Sequence, residues 1–302
     1  MEMVGNLRFT LTTRKGKSRL QRLKNGVLQV SVLAPFLFNI YIYYRPTVSR
    51  MYAYADDLAI MHAGGDWQAV EGVPTKDMAT AGEYLQTWKP KHSTTKTVSA
   101  AFHLNKETKR ELKVNYNNET LPFCPELKYL WVRLDKLLTH RWHLESLRKK
   151  LTSRVTHLRQ LTGSGWGAGA TTLRIATLDL VHSIAEYCAP VWCHSVHTRW
   201  MDPAINDALW VVTGCLCPTP ADNLPILAGI QVAELHRIGA TLSLARRAME
   251  PGHLLHSVLI SPLTANTQRV KSRHPFVPAA RFPNNWIAKA STLSCCNYLR
   301  FE

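Results

Sequence analysis

Residues 51–62, Met-Tyr-Ala-Tyr-Ala-Asp-Asp-Leu-Ala-Ile-Met-His, form the stretch from which the fold of the chain is interpreted. Apolar and aromatic residues lie on both sides of one charged pair, Asp56-Asp57. Strand-forming residues that lead up to such a pair and away from it predict a short β-hairpin with both carboxylates at its tip. Adjacent carboxylates suit hard divalent cations such as Mg²⁺. An ordinary polar turn is the alternative, because Asp is a common turn residue.

The composition is that of a basic globular protein. The chain has 302 residues, of which 46% are hydrophobic, enough for a sizeable core and one or two domains. Its 37 Lys and Arg against 21 Asp and Glu give a net charge of +16, which favours nucleic acid as a partner over an acidic membrane surface. The most apolar run, 27–44, contains Gln29, Ser31, Pro35 and Asn39, so a buried core helix is expected there rather than a membrane span.

The seven cysteines predict free thiols in a reducing compartment, because their count is odd, their spacing is irregular and no secretory leader is recognisable. An intracellular location is therefore expected, in the nucleus or the cytoplasm. Cys188, Cys193, His194 and His197 lie close enough in sequence to suggest zinc ligands. No second ligand pair follows at finger-like spacing, so zinc is the weaker interpretation.

Local patterns predict most of the remaining elements. Basic residues interleaved with apolar ones predict a basic strand or hairpin within residues 1–24, lying on phosphates, with a solvated tail as the alternative. Residues 66–88 predict a helix interrupted at Gly72–Pro74, and Asn117-Asn118 marks a hairpin turn. An apolar stripe from Leu144 to Leu161 predicts a further helix, followed by a glycine-rich break at 163–169 and helices over 173–187 and 203–212.

A second motif precedes the acidic hairpin, at residues 25–40, Asn-Gly-Val-Leu-Gln-Val-Ser-Val-Leu-Ala-Pro-Phe-Leu-Phe-Asn-Ile. Together with Tyr54-Ala55-Asp56-Asp57, it resembles the reverse-transcriptase palm of non-LTR (LINE-type) retrotransposons, the jockey-like group in particular. The family motif is a loop of the form Gly-x-Pro-Gln-Gly-Ser-Val-Leu-x-Pro-x-Leu-Phe-Asn. The two motifs in this order and spacing are a specific signal, and the resemblance covers roughly residues 7–247.

Two later stretches are similar to the same family. Leu85-Gln86-Thr87-Trp88, followed by Lys96-Thr97 and Ala101-Phe102, resembles the next palm element, a helix end, a Lys-Thr pair and a strand. Residues 128–135, Lys-Tyr-Leu-Trp-Val-Arg-Leu-Asp, resemble the strand pair that grips the primer, with the family form Tyr-Leu-Gly-Val-x-Leu-Asp. The expected fold is α+β: a partial palm with an antiparallel sheet and packed helices over 1–135, a mostly helical thumb or connection-like region over 136–245, and a tail over 246–302.

The resemblance implies roles for individual residues in RNA-directed DNA synthesis. In the family, carboxylates hold two Mg²⁺ ions, for which Mn²⁺ can substitute, so Asp56 and Asp57 would be the metal ligands and catalytic residues. Lys96 would lie beside the phosphates as a proton donor. The implied contacts to template base, incoming nucleotide and primer end are Gln29, Ser31 and Tyr54, and the implied primer grip is Leu130, Trp131 and Val132.

Basic residues off the apolar stripe of the helix that begins near Leu144 suit a thumb helix that tracks a nucleic-acid backbone. An ordinary solvated face is the alternative. The residues expected to contact phosphates are Arg148, Lys149, Lys150 and Arg154.

Several departures from the family pattern argue against independent catalysis. The family needs a third carboxylate upstream of the loop, and Glu2 is the one acid before Asp56. Fingers and first palm strand are therefore expected to be missing, unless a second chain supplies that strand. Leu28, Val30 and Trp131 stand where the family has proline, glycine and glycine.

Three functions follow as hypotheses. The first is a reverse-transcriptase fragment of a mobile element that is inactive alone, with RNA template and DNA primer as partners. The second is a non-catalytic module that binds RNA or DNA, and the third is an inert transposon relic. A membrane protein is the least favoured hypothesis, because it gives no role to the acidic pair Asp56-Asp57.

Overall fold

The computed structural model combines helices with small antiparallel sheets, so the α+β class is confirmed at that level. The chain divides into two compact units, one of residues Met1–Ser99 with Arg110–Phe123 and one of Ala100–Lys109 with Cys124–Glu302. The structure describes residues 8–14, 16–22, 32–41, 48–55, 57–64, 66–88, 93, 95–103, 110–117, 119–163, 167–216 and 218–257.

The first unit begins with an exposed basic hairpin, as the sequence predicts. Its outer pair consists of β1 (Arg8–Phe9) and β4 (Gln21–Arg22), and its inner pair of β2 (Thr12–Thr13) and β3 (Gly16–Lys17). All four strands expose their residues to solvent. Their hydrogen bonds therefore hold a ribbon of cationic side chains without a core of its own.

The acidic hairpin is also confirmed. Strand β5 (Arg50–Tyr54) pairs antiparallel with β6 (Asp57–Met61), and Tyr54 lies opposite Asp57. Ala55 follows Tyr54 with φ of 49°, a left-handed conformation typical of tight two-residue turns. Within the described residues no third strand joins this pair.

The helix expected in the apolar run 27–44 is present, but its expected burial is wrong. Helix α1 covers Ala34–Tyr41, and the side chains of Phe36 and Ile40 are 63% and 57% exposed. The apolar composition identifies side chains that prefer burial, but no described part of the chain covers them. Residues 27–31 and 42–44 lie outside the described residues.

The predicted interruption at Gly72–Pro74 is also wrong. Helix α2 runs without a break over Trp67–Trp88 and contains Pro74. Contacts on both sides of the proline hold the helix: the Glu71 carboxylate pairs with Arg110 at 2.9 Å, and the buried Asp77 carboxylate accepts the Ser49 N–H at 2.9 Å. Tertiary contacts thus outweigh the hydrogen bond that Pro74 removes.

The segment after α2 contains less sheet than expected. Strands β7 (Asn115–Tyr116) and β8 (Glu119–Thr120) form the predicted hairpin, in which Asn117 has φ of 49°. The strand expected at Ala101-Phe102 is wrong, because pairing is limited to one parallel bridge between Ser99 and Phe123. Ser99 is buried and donates its N–H to the Pro122 carbonyl. Among the described residues, the next backbone bond is from the His103 N–H to the Lys136 carbonyl at 3.1 Å, so Ala101 and Phe102 do not form a strand ladder.

The second unit begins with a hairpin and continues as helices. Strand β9 (Glu126–Tyr129) pairs with β10 (Val132–Asp135), as predicted. The elements that follow are α3 (Arg141–Arg159), α4 (Ala170–Thr177), a π-helical segment (Leu178–His182), α5 (Ser183–Ala185), α6 (Ala189–Trp192), a 3₁₀ turn (Thr198–Met201), α7 (Asp202–Thr213), a 3₁₀ turn (Ala221–Asn223), α8 (Leu224–Ala228) and α9 (Ala233–Ala248).

Helix α3 supplies one side of the core of the second unit. The predicted apolar stripe is confirmed, since Leu144, Leu151 and Leu158 are fully buried. They pack with residues of the later helices, among them Trp192 and Leu209. Burial on this scale is the main stabilising term for such a helix.

The described residues can be checked for disulfides and for membrane-spanning helices. The described cysteines Cys124, Cys188, Cys193 and Cys215 are free thiols. No helix in the part of the chain that the structure describes has the length and apolarity needed to cross a bilayer. Residues 258–302, most of the predicted tail, lie outside the described residues.

Candidate nucleic-acid interface

The tip of the β5–β6 hairpin exposes the predicted acidic site in the first unit. Tyr54 is 68% exposed, and Asp57, directly opposite it, is exposed as well. Asp56 lies outside the described residues. The Asp57 carboxylate is a suitable ligand for Mg²⁺. However, the described residues contain no cluster of three or more His, Cys, Asp or Glu side chains that could hold a metal, so they do not by themselves form a cation site.

The remaining residues assigned to the nucleotide are only partly described. Lys96 is exposed in a turn after α2, where its backbone N–H donates to the Ser93 carbonyl at 3.2 Å. Within the described residues, no hydrogen bond or ion pair joins Lys96 to Asp57. Gln29 and Ser31 lie outside the described residues. The nucleotide-binding assignments therefore stay predictions.

The β9–β10 hairpin brings together the three residues of the predicted primer grip. Leu130 and Trp131 form its two-residue turn with φ of 44° and 69°, and Val132 begins β10 with its side chain buried. Positive φ at both central residues is the conformation for which Asn-Gly pairs are preferred. The Tyr187 hydroxyl donates to the Leu130 carbonyl at 3.1 Å and fixes the turn from outside.

Trp131 is the most prominent side chain of this hairpin. Its side chain is 67% exposed, and the Lys128 ammonium lies 3.9 Å from the centre of its ring. The Lys150 ammonium, from helix α3, lies 5.8 Å from the same ring. Both distances are within the range of cation–π attraction. The hairpin turn and helix α3 thus share one surface with an aromatic plane and two cations, here named the Trp131 surface.

Helix α3 extends this surface with the predicted basic face. Arg148, Lys149, Lys150 and Arg154 are all exposed, opposite the buried stripe. Lys149 pairs with Glu145 at 3.3 Å, one helical turn earlier. Exposed pairs of this kind contribute little free energy and are readily exchanged for another anion. The face therefore offers several cations to a polyanion.

Asp135 connects the hairpin to helix α3. Its carboxylate accepts hydrogen bonds from the Thr139 N–H at 3.0 Å, the Thr139 hydroxyl at 2.8 Å and the His140 N–H at 2.7 Å. Burial would raise the pKa of Asp135, but the hydrogen bonds from Thr139 and His140 outweigh it and lower the pKa. The ionised carboxylate thus fixes the chain between β10 and α3.

His143 adds a second link between these elements. Its Nδ1 accepts the Arg133 N–H at 3.3 Å, from strand β10. Burial, together with the nearby charges of His140, Lys150 and Arg133, lowers the pKa of His143 to about 4. The ring is therefore neutral at pH 7, as a hydrogen-bond acceptor in this position must be.

Sequence reasoning missed the residues that position this interface. Asp135 is the last residue of the primer-grip motif, but it lies six residues before α3 begins at Arg141, so it is not in the N-cap position that a sequence pattern could identify. Tyr187 gives no such signal, because its partner Leu130 is 57 residues away in the sequence.

Comparisons with known proteins relate the chain to retrotransposon polymerases. It is 25% identical over 199 residues to the "Probable RNA-directed DNA polymerase from transposon BS" of Drosophila melanogaster, covering 63% of this chain and 21% of that protein. It is 26% identical over 194 residues to the Pol polyprotein from type-1 retrotransposable element R1 4 of Nasonia vitripennis, covering 58% and 50%. It is 25% identical over 164 residues to the RNA-directed DNA polymerase from mobile element jockey of Drosophila funebris, covering 51% and 18%.

The chain thus spans half or less of the length of these relatives. No protein-family model matches the chain, and no solved structure matches it. The resemblance predicted from the loop and hairpin motifs is confirmed: the chain is similar in sequence to the RNA-directed DNA polymerases of non-LTR retrotransposons.

Proposed function

We propose that this chain corresponds to the palm and thumb part of a mobile-element RNA-directed DNA polymerase, that it holds template RNA and primer DNA, and that it does not polymerise alone. The β5–β6 hairpin is the carboxylate-bearing part of the palm in this proposal, and the helices from α3 onward form the thumb. Sequence similarity to the retrotransposon polymerases supports the assignment.

The observation that carries the binding function is the Trp131 surface. Its aromatic plane is exposed beside two ammonium groups, and the basic face of α3 continues from Lys150. Cations neutralise phosphates without regard to sequence, and an exposed indole can stack on a base. The expected interaction is therefore tolerant of sequence and sensitive to salt.

Catalysis is a separate part of the proposal. Asp56 and Asp57 would hold Mg²⁺ or Mn²⁺ once a third carboxylate completes the site, and the bound ions would supply charge stabilisation at the transferred phosphate. Glu2 is the one acid that precedes Asp56 in the 302 residues. A second chain that supplies a palm strand with a carboxylate would complete the site, so such a chain is a proposed partner.

Primer extension tests the catalytic part. The protein is incubated with a primed RNA template and Mg²⁺ or Mn²⁺, beside an Asp56→Asn variant. No extension by either protein is expected. Extension by the wild type that the substitution abolishes would contradict the proposal, because the two aspartates would then suffice with ligands already in the chain.

Salt-dependent binding tests the other part. Fluorescence anisotropy with a labelled primer–template should show affinity that falls steeply as salt rises. Arg148→Gln and Arg154→Gln should each reduce the slope of log K against log salt by about 0.7–0.9. Lys113→Gln is the matched control, an exposed lysine of the first unit. No binding by the wild type, or binding that salt does not weaken, would refute the proposal.

A further inference from the structure

Helix α3 and the 3₁₀ turn Thr198–Met201 border a groove that shares Arg148 and Lys149 with the basic face of α3 but also contains residues with no role so far. Its volume is about 590 Å³, within the range of about 300–1,000 Å³ usual for sites that bind drug-sized molecules, which is the scale of a nucleotide. The residues that determine its chemistry are Arg148, Lys149, Thr152, Arg199, Trp200 and Asp207.

The groove has an excess of positive charge. Three of these side chains are cationic and one, Asp207, is anionic. The Asp207 carboxylate lies 3.4 Å from the guanidinium of Arg159, which offsets its charge. In the described part of the chain, neither Arg148 nor Arg199 has a carboxylate within ion-pair distance, and both side chains are exposed. A bound anion would therefore meet two guanidinium groups that have no direct ion pair among the described residues, although the charge of Arg199 also acts on the Asp202 carboxylate.

Trp200 provides an aromatic plane at a fixed position in this groove. Its ring lies 4.4 Å from the ring of His197, centre to centre, and the Arg141 guanidinium lies 5.9 Å from the centre of its ring. The next residue, Met201, is fully buried in the core of the second unit. The turn that carries Trp200 is thus anchored, and the half-buried indole is preorganised for stacking.

We infer that this groove binds a single-stranded segment of nucleic acid, with one base stacked on Trp200 and the adjoining phosphates at Arg148 and Arg199. The inference rests on the proposed function and adds a second stacking position, distinct from the Trp131 surface. Arg148 belongs both to the basic face of α3 and to the groove, so a strand held on that face can continue into the groove.

An acidic peptide is the competing ligand. It would satisfy the guanidinium groups, but it has no planar base to place on the indole. A single strand satisfies both the charge and the aromatic plane, because every base has a stacking face. The two ligands therefore differ in their dependence on Trp200.

The test measures binding of a labelled single-stranded oligonucleotide of about 12 nucleotides to the full chain by fluorescence anisotropy. A second oligonucleotide of the same length contains abasic sites, so it lacks the bases that could stack but keeps the phosphates. The variants are Trp200→Leu and Trp200→Phe, and the matched control is Trp142→Leu, an exposed tryptophan of α3 that does not line the groove. Thermal melting checks that each variant folds.

Trp200→Leu should weaken binding of the intact oligonucleotide by roughly 5- to 150-fold, since stacking on one aromatic contributes about 1–3 kcal/mol. It should also reduce the preference for the intact over the abasic strand to the part that stacking on Trp131 contributes. Trp200→Phe and Trp142→Leu should bind nearly as the wild type does. The comparison of intact with abasic strands on the wild type needs no variant, so it stays informative if the Leu variant does not fold.

Two results would overturn the inference while the proposed function stands: equal binding by wild type and Trp200→Leu, or equal binding of intact and abasic strands by the wild type. A poly-glutamate peptide that competes as strongly as the intact oligonucleotide would assign the groove to an acidic peptide instead. If the wild type binds no nucleic acid at any salt concentration, both the inference and the proposed function fail.

Discussion

The carboxylate of Asp135 holds the backbone of His140 in a left-handed conformation. Its Oδ1 accepts the His140 N–H at 2.7 Å, and His140 has φ of 58° at the residue before helix α3. A non-glycine residue in this conformation is unfavourable by about 1–2 kcal/mol. The charged hydrogen bonds of Asp135 offset that cost, so a single side chain sets the start of the helix.

Asp135→Asn should destabilise the second unit by about 1–3 kcal/mol, because an amide group can accept fewer of the three hydrogen bonds and loses their charge-assisted part. The midpoint of urea unfolding checks this. Asp222→Asn, at an exposed position, is the control and should change stability by less than about 0.5 kcal/mol. An unchanged midpoint for Asp135→Asn would show that the bonds of Asp135 do not hold the connection.

Glu186 predicts an acid-sensitive step in stability. Its Oε1 lies 3.0 Å from Nδ1 of His182 and 3.2 Å from Nδ1 of His236. These two contacts join the π segment, which contains His182, to α9, which contains His236. Burial would raise the pKa of Glu186, but the hydrogen bonds and charges of the two histidines outweigh it and lower the pKa to about 2, from the ordinary value of 4.5. The folded state therefore binds the proton of this carboxyl less readily than the unfolded state.

The stabilisation by ionised Glu186 is thus complete above pH 4.5 and is lost as the pH falls toward 2. The loss is on the order of 3 kcal/mol. Urea unfolding at a series of pH values should show a smaller decline over this window for Glu186→Gln than for the wild type. Glu119→Gln, an exposed control, should keep the full decline. Parallel curves for wild type and Glu186→Gln would contradict the assignment.

At position 131, a glycine variant should be more stable than an alanine variant, the reverse of what is usual in regular secondary structure. Its φ of 69° strains any side chain, and glycine relieves that strain. Trp131→Gly should therefore be about 1 kcal/mol more stable than Trp131→Ala, although both lack the indole. Both variants should bind primer–template more weakly than the wild type. If alanine is the more stable of the two, the left-handed turn is not the conformation in solution.

Pro74 offers a test in the first unit. Since it lies inside α2 without a backbone N–H to donate, Pro74→Ala should stabilise the protein by about 1–3 kcal/mol. Gly72→Ala is the matched comparison, because a Cβ there meets no atom within 4 Å, and it should add about 0.5–1 kcal/mol. Thermal melting measures both changes. A destabilised Pro74→Ala would mean that the proline ring itself contributes packing.

Elements that depend on local chemistry could be predicted from the sequence. The acidic hairpin follows from a short turn between strand-forming residues, and the buried face of α3 follows from the spacing of its leucines. The β9–β10 hairpin is expected from the family resemblance, because Leu130-Trp131 gives no local turn signal. The positive φ of Trp131 also explains why the family motif has glycine at this position. The sequence alone showed that Trp131 differs from the motif but not why the motif has glycine.

Features that depend on distant residues could not be predicted. The continuity of α2 depends on the bond from Ser49 to Asp77, 28 residues apart, which no helix pattern contains. The exposure of Phe36 depends on what covers it rather than on its own type. The groove beside α3 joins Arg148 to Trp200, so neither position is notable until the fold brings them together.

The π segment Leu178–His182 explains why the buried residues of this helix are spaced four positions apart in the sequence. The buried positions Leu173, Thr177, Val181 and Ala185 recur every fourth residue. In an α-helix of 3.6 residues per turn, such a repeat drifts by about 40° at each step and would soon turn away from the core. The wider π turn absorbs part of that drift. Deleting one residue from this segment would rotate Glu186 away from His236. The contact between them therefore requires this helix to keep its exact number of residues.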